Sequence, residues 1–215
     1  MEKPRFLVKR KQLERFLSQV KPHPAPKLSL EQYTTPAPLA AALLYTAAYT
    51  FDDIVGKTVC DLGCGSGILS LGAAYLGAET VVAVDVDKAA VEAAKENAER
   101  FGLEVEWVVG SIELLRGAFH TALQNPPFGV WRRGADVGFL RKALSLASTV
   151  YSIHKSSEKA RSYLDRVARS LGGRVTAVFE SKLTIPRQFG FHRKPEYEVK
   201  VNVYRIVRDE GRQPT

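Results

Sequence analysis

Apolar residues near the start of the chain recur at helical spacing: Leu13, Phe16, Leu17 and Val20 share one face. Lys21-Pro22-His23-Pro24-Ala25-Pro26 ends that helix, because a proline at every second position cannot continue it. The pattern predicts a helical appendage over residues 1–27, tied by a stiff linker to a core spanning 28–215, the whole forming one domain. Pro36 to Tyr49 is Ala- and Leu-rich with prolines confined to its first turn, and predicts the first core helix.

From Thr58 the period switches back and forth between two and 3.6. Val59 to Leu62, Thr80 to Val84, Val105 to Val109, Ala122 to Gln124 and Val150 to Ile153 are short β-rich runs. Between them, Ile68 to Leu76 and Val137 to Ala147 carry helical spacing, as does the stretch after Asp87 whose face is Ala90, Val91, Ala94, Ala98 and Phe101. A helix opened by Ser156 is expected to bury Ala160, Tyr163, Leu164, Val167 and Leu171 before Gly172-Gly173. Val175 to Phe179 and Glu198 to Val207 follow without a helix between them, so the polar stretch Glu180 to Tyr197 is expected to be the long loop of an antiparallel hairpin. Strand–helix alternation of this kind gives an α/β fold, a mostly parallel sheet covered on both faces.

Composition narrows the setting. Met1 to Gln12 lack an apolar leader core, and the longest apolar run, Leu39 to Tyr49, is too short to cross a bilayer. Cys60 and Cys64 with four scattered histidines make a poor zinc set, so no metal is expected, and two unpaired thiols fit a reducing, cytoplasmic protein. The net charge of +8 is unevenly spread: +6 over residues 1–27, −8 over 28–130 and +10 over 131–215. Basic ends around an acidic middle suit a polyanion, since Lys and Arg displace counterions from phosphates.

Candidate chemistry lies at two strand ends. Asp61-Leu62-Gly63-Cys64-Gly65-Ser66-Gly67 separates a strand from a helix, where glycines let the backbone approach a ligand. Asp85 ends the next strand, about twenty residues on, placed to accept a pair of ribose hydroxyls. Dinucleotide loops want a third glycine where this chain has Ile68, and the leading Asp61 suits a cation rather than a pyrophosphate. S-adenosylmethionine, with its sulfonium and ammonium, meets both conditions. The pattern resembles the first motif of class I methyltransferases.

Gln124-Asn125-Pro126-Pro127-Phe128 ends the fourth strand at the same sheet edge. Such a segment also serves as a plain turn. As chemistry, the Asn125 side-chain oxygen and the Pro126 carbonyl would accept both N–H groups of an aromatic amine, whose lone pair is otherwise delocalised, while Phe128 stacks on the ring. The two prolines would hold these acceptors in place in advance.

These segments, with Leu30-Glu31-Gln32-Tyr33 and Thr35, Asp85-Val86-Asp87, Val150 to Lys155 and Phe191-His192-Arg193-Lys194, resemble the archaeal and eukaryotic family of small-subunit ribosomal RNA adenine-N6 methyltransferases, the methyltransferase-like-five family. The resemblance spans nearly the whole chain. It implies a Rossmann-like methyltransferase domain with a seven-stranded sheet in the order 3-2-1-4-5-7-6, the last strand antiparallel. It implies cofactor contacts from Gln32, Thr35, Gly63, Ser66, Ile68 and Asp85, to which the motif itself adds Asp61 and Gly65. Relatives usually carry Asp after the third strand; here Ser111 and the backbone of Ile112 are expected to take that place. The target adenine must be single-stranded or flipped out.

Phosphate contacts are expected from Arg132, Arg133, Lys155, Arg193 and Lys194, with Lys159, Arg161, Arg166 and Arg169 on a helix nearby. The resemblance further implies, for some members, a small zinc-binding activator subunit on the edge strand Val105 to Val109, where Trp107 is the residue to watch. Rival functions are a protein-glutamine methyltransferase, a DNA adenine methyltransferase, a non-catalytic RNA-binding scaffold and an oxidoreductase. The first uses the same Asn-Pro-Pro-aromatic turn.

Overall fold

A computed structural model describes residues 7–128, 134–186 and 196–209. In chain order the elements are α1 (Arg10–Leu17), α2 (Ala37–Tyr49), β1 (Thr58–Leu62), α3 (Ile68–Tyr75), β2 (Thr80–Asp85), α4 (Lys88–Phe101), β3 (Glu106–Val109), β4 (Phe119–Gln124), α5 (Ala135–Leu146), β5 (Ala147–Lys155), α6 (Glu158–Ser170), β6 (Gly173–Pro186) and β7 (Glu196–Arg208). Single 3-10 turns cover Leu28–Leu30 and Ile112–Leu114.

The strands form one seven-stranded sheet in the order β3-β2-β1-β4-β5-β7-β6, with β7 antiparallel to both of its neighbours. The expected order is therefore found, and β1 and β4 lie side by side at its centre with Leu62 beside Gln124. Their carboxyl ends thus deliver the glycine loop and the Asn-Pro-Pro segment to one place. Leu71, Leu123, Tyr151 and Val203 belong to the apolar layer on one face, and Leu62, Leu140, Leu164 and Ile206 to the layer on the other. Gly72 lets α3 seat closely on α2, since a Cβ there would lie 2.3 Å from Leu44.

The helix over residues 10–17 is not a loose appendage. Leu13 and Leu17 are fully buried, and the Phe16 ring stacks on Tyr75 with centroids 4.1 Å apart. The proline-rich segment after it is sewn to α4: Asn97 accepts from the Lys21 N–H and donates to both the Lys21 and Ser66 carbonyls, while Arg100 donates to Gln19 O. Prolines leave few backbone donors of their own, so a strap of this kind is held by side chains of the body beneath it.

The last helix and the final hairpin also differ from expectation. Helix α6 is capped by Ser157, not Ser156, through a 3.0 Å bond from the Ala160 N–H. Its buried face is also narrower than expected: Tyr163 is exposed, and Ala168 is the fully buried partner of Leu164. The hairpin strands are longer than their apolar runs: pairing continues from Val178 opposite Tyr204 out to Pro186 opposite Glu196, and Lys182 bonds Glu198 across it at 2.9 Å. Polar residues continue a ladder where one face meets water, so the polarity of Glu180 to Lys182 belongs to a strand with one wet face rather than to a loop.

Candidate active site

Beyond the carboxyl ends of β1, β2 and β4 opens a cavity of about 580 Å³. The loop after β1 turns through three glycines at positive φ, Gly63, Gly65 and Gly67. A Cβ on Gly67 would lie 2.8 Å from Trp107 and 3.1 Å from the Ala94 methyl, whereas one on Gly65 would meet nothing within 4 Å. Gly67 therefore serves packing, and Gly65 leaves room at the cavity wall.

Asp85 is the fixed point of this wall. Its carboxylate accepts from the Gly65 N–H at 2.8 Å and from the Asp87 N–H at 2.9 Å. Burial pushes its carboxyl above the ordinary range, although both backbone bonds pull the other way. Each oxygen keeps a lone pair for a ligand hydroxyl. Gln32, Thr35, Gly63, Gly65, Ser66, Ile68, Ser111 and Ile112 line the same cavity. The Ser111 hydroxyl also caps the turn that follows it, accepting from the Glu113 N–H at 3.3 Å.

Asp61 stands behind this surface, not on it. It is buried, and one oxygen takes both the Ser70 N–H at 3.0 Å and the Ser70 hydroxyl at 2.5 Å. The other oxygen has no hydrogen-bond partner among the described residues. Burial raises its carboxyl to about 7, the Ser70 bonds notwithstanding. A buried, half-satisfied carboxylate is stabilised by a cation close by.

The opposite wall is the strap. Ser29, Leu30, Glu31, Tyr33 and Thr34 line the cavity beside Gln32 and Thr35, and His23 closes one corner. Asp87 holds the strap down: one of its oxygens meets His23 Nε2 at 3.2 Å, Lys27 Nζ at 3.0 Å and Gln32 Nε2 at 3.1 Å. Burial alone would raise the Asp87 carboxyl, but these donors outweigh it and hold it down to about 2. Gln32 is thus a clamp as well as a lining residue, its amide oxygen accepting from the Lys27 N–H at 2.7 Å.

At the far end of the cavity lies Asn125. Its amide nitrogen donates to Thr35 Oγ1 over 2.9 Å. Its amide oxygen is buried and has no hydrogen-bond partner among the described residues. Gln124, immediately before it, donates to Ser152 Oγ at 2.9 Å, which lies 2.6 Å from His154 Nε2. Burial lowers the His154 imidazole to about 4, so it sits there neutral. Pro127 rather than Pro126 reaches the cavity lining; Pro126 is buried beside it. Phe128 is half-buried just beyond the lining, with Lys155 Nζ 5.3 Å from its ring centre.

Of the expected phosphate-binding residues, Lys155 is exposed at the end of β5, next to Phe128. Arg132, Arg133, Arg193 and Lys194 lie outside the described residues. The periodicity of α5 gave no sign that Phe139 would line the cavity, where it sits 3.0 Å from a Cβ built on Gly63. His23 was equally silent, since a histidine between prolines carries no pattern. Among the described residues there is no cluster of three or more His, Cys, Asp or Glu fit to hold a metal, and no helix long and apolar enough to cross a membrane.

The sequence model of the ribosomal protein L11 methyltransferase (PrmA) family matches residues 34–121, less than half of the chain, and stops short of Asn125. Full-length likeness decides the matter. A Danio rerio protein, the rRNA N(6)-adenosine-methyltransferase METTL5, is 39% identical over 207 residues, covering 93% of this chain and 99% of its own. The chain belongs to the METTL5 family. The Drosophila melanogaster member, rRNA N(6)-adenosine-methyltransferase Mettl5, is 37% identical, covering 93% of this chain and 96% of its own. Among solved structures, an RNA methyltransferase candidate from Pyrococcus horikoshii, PH1948, superposes with a TM-score of 0.87 at 39% identity, covering 94% of this chain and 99% of that one.

Proposed function

We propose that this chain transfers a methyl group from S-adenosylmethionine to the N6 amine of an adenosine in ribosomal RNA, in keeping with its family. The observation that carries the reading is the unsatisfied, buried oxygen of Asn125 at one end of a cavity whose other wall holds Asp85 and the glycine loop. The lining fits the cofactor. Asp85 offers two acceptors to ribose hydroxyls, Gly65 presents no side chain, and Asp61 places a buried carboxyl behind the loop whose charged form a cationic ligand would favour. When bound, the cofactor supplies a sulfonium-activated methyl group. Asn125 takes a proton-bearing edge of the acceptor amine, Pro126 and Pro127 keep that oxygen from swinging away, and Phe128 stands next to the site where a base would stack.

RNA is held outside this pocket. Lys155 at the rim and the exposed Lys159, Arg161 and Arg166 of α6 continue away from it, within a segment that carries net +10. We assign Arg132, Arg133, Arg193 and Lys194 to the same phosphate-binding role on charge. Among the described residues β3 ends the sheet, paired with β2 alone, and Val109 is exposed. That edge suits strand addition by a small zinc-binding activator subunit, with Trp107 half-buried as its inner support.

The deciding test is transfer of labelled methyl groups from S-adenosylmethionine to total RNA and, separately, to protein, followed by nucleoside digestion. Label in N6-methyladenosine supports the reading. Label confined to protein would replace it with the glutamine alternative.

A further inference from the structure

We propose that Thr35 is a positioning residue for methyl acceptance, fixing the Asn125 amide so that its oxygen, not its NH2, faces the incoming amine. The proposal rests on the reading of Asn125 as the acceptor site. An amide presents a donor end and an acceptor end of nearly equal size. Turned over, Asn125 would set two N–H groups against the N–H groups of the adenine amine, and nothing would hold them. Thr35 settles that ambiguity once its own proton is spent on a bound ligand, because a hydroxyl whose proton is engaged can only accept. Its Oγ1 receives the Asn125 amide nitrogen at 2.9 Å, which leaves the buried Asn125 oxygen with no partner among the described residues, in a cavity both residues line.

Thr35 is well placed to impose this choice. It is buried, and it precedes Pro36, which confines its backbone to extended conformations. Three residues earlier, Gln32 is clamped to Asp87, so the strap cannot slide past Asn125 without breaking that bond. A hydroxyl can accept and donate at once. Because its lone pair takes the Asn125 N–H, the Thr35 proton remains for an acceptor on a ligand in the cavity. Cofactor occupancy then reinforces the amide orientation that the acceptor base needs.

The test compares Thr35→Val, which keeps the shape and loses the oxygen, with Thr35→Ser, which keeps the oxygen. At saturating cofactor and RNA, turnover should fall about tenfold to a hundredfold in the Val variant and return to within about threefold in the Ser variant. Affinity for S-adenosylhomocysteine, measured by calorimetry, should fall in the Val variant by no more than the roughly tenfold that one lost hydrogen bond costs, and stay within about threefold in the Ser variant. In the unliganded protein, the Asn125 side-chain amide protons, identified by NMR through their loss in Asn125→Ala, should exchange with solvent at least about tenfold faster in Thr35→Val and not in Thr35→Ser. Full turnover in Thr35→Val, or lost cofactor affinity with saturated turnover intact, would overturn the proposal by leaving Thr35 a cofactor ligand alone. The underlying site reading fails separately, if Asn125→Ala keeps its activity.

Discussion

The backbone N–H of Gly65 donates to the Asp85 carboxylate at 2.8 Å, binding the loop after β1 to the end of β2. Loop and carboxylate are therefore one device, and whatever disturbs either disturbs the cofactor wall.

Asp85→Ala should weaken S-adenosylhomocysteine binding about tenfold to a hundredfold, the range for hydrogen bonds to a charged group. Asp85→Asn keeps the shape and should fall between wild type and Ala. Calorimetry checks both, and an unchanged dissociation constant in Asp85→Ala would remove its ribose role.

Asn125→Ala should lower methyl transfer at least about a hundredfold while S-adenosylhomocysteine still binds. The amide nitrogen bonds Thr35, whereas Asp85 bonds Gly65 and Asp87, so the two functions are expected to separate. Single-turnover assays at saturating cofactor, set beside calorimetry, measure that separation.

Asp61 and His154 should oppose one another in the pH dependence of stability. Burial raises the Asp61 carboxyl to about 7, so the folded state keeps a proton that the unfolded chain releases, and stability falls as pH rises from about 4 to 7. Burial lowers His154 to about 4, so the unfolded chain holds a proton that the folded state lacks, and stability rises between about pH 4 and 6.5. Relative to wild type, Asp61→Asn should add a slope of about +1.4 kcal/mol per pH unit in that shared window, and His154→Gln about −1.4. Urea melts at pH 4.5, 5.25 and 6 (roughly evenly spaced across the window) read the slopes. Parallel curves for all three proteins would count against both burials.

Asp53 joins three strands away from the active site. Its carboxylate takes the Tyr151 hydroxyl at 2.6 Å and Arg205 Nε at 2.8 Å, while its carbonyl takes the Thr121 hydroxyl at 2.5 Å. The Arg205 guanidinium also lies 4.5 Å from the Phe51 ring centre. Asp53→Ala should destabilise by about 3 kcal/mol, because it strands a largely buried guanidinium. Asp53→Ala with Arg205→Met should cost less than the single change, as denaturant melts would reveal.

The strand–helix alternation and the paired motifs were legible because strand ends and turn residues are written locally, whereas the strand order came only with the family resemblance. Asp87 capping α4 and Gly102 closing it are readable from side-chain chemistry alone. The strap has the sequence of a linker because its anchors lie elsewhere: Asn97 is a polar residue of α4 and Asp87 its cap, and only folding puts Lys21 and His23 on them. Asp61 was expected on the cavity surface, but Ser70, one helical turn into α3, draws it inward. Phe139 escaped notice since nothing in a helical period says which apolar residue faces a neighbouring loop rather than the core.

The stretch shared with the L11 methyltransferase family begins at residue 34, while Ser29 to Tyr33 supply a wall of the cavity proposed to hold the cofactor. Cofactor mimics that touch only Asp85 and the glycine loop address features common to both families. A compound extended toward Leu30 and Tyr33 would instead meet surface that the shared stretch does not encode. Selective inhibition of this chain is therefore a question of reaching the strap.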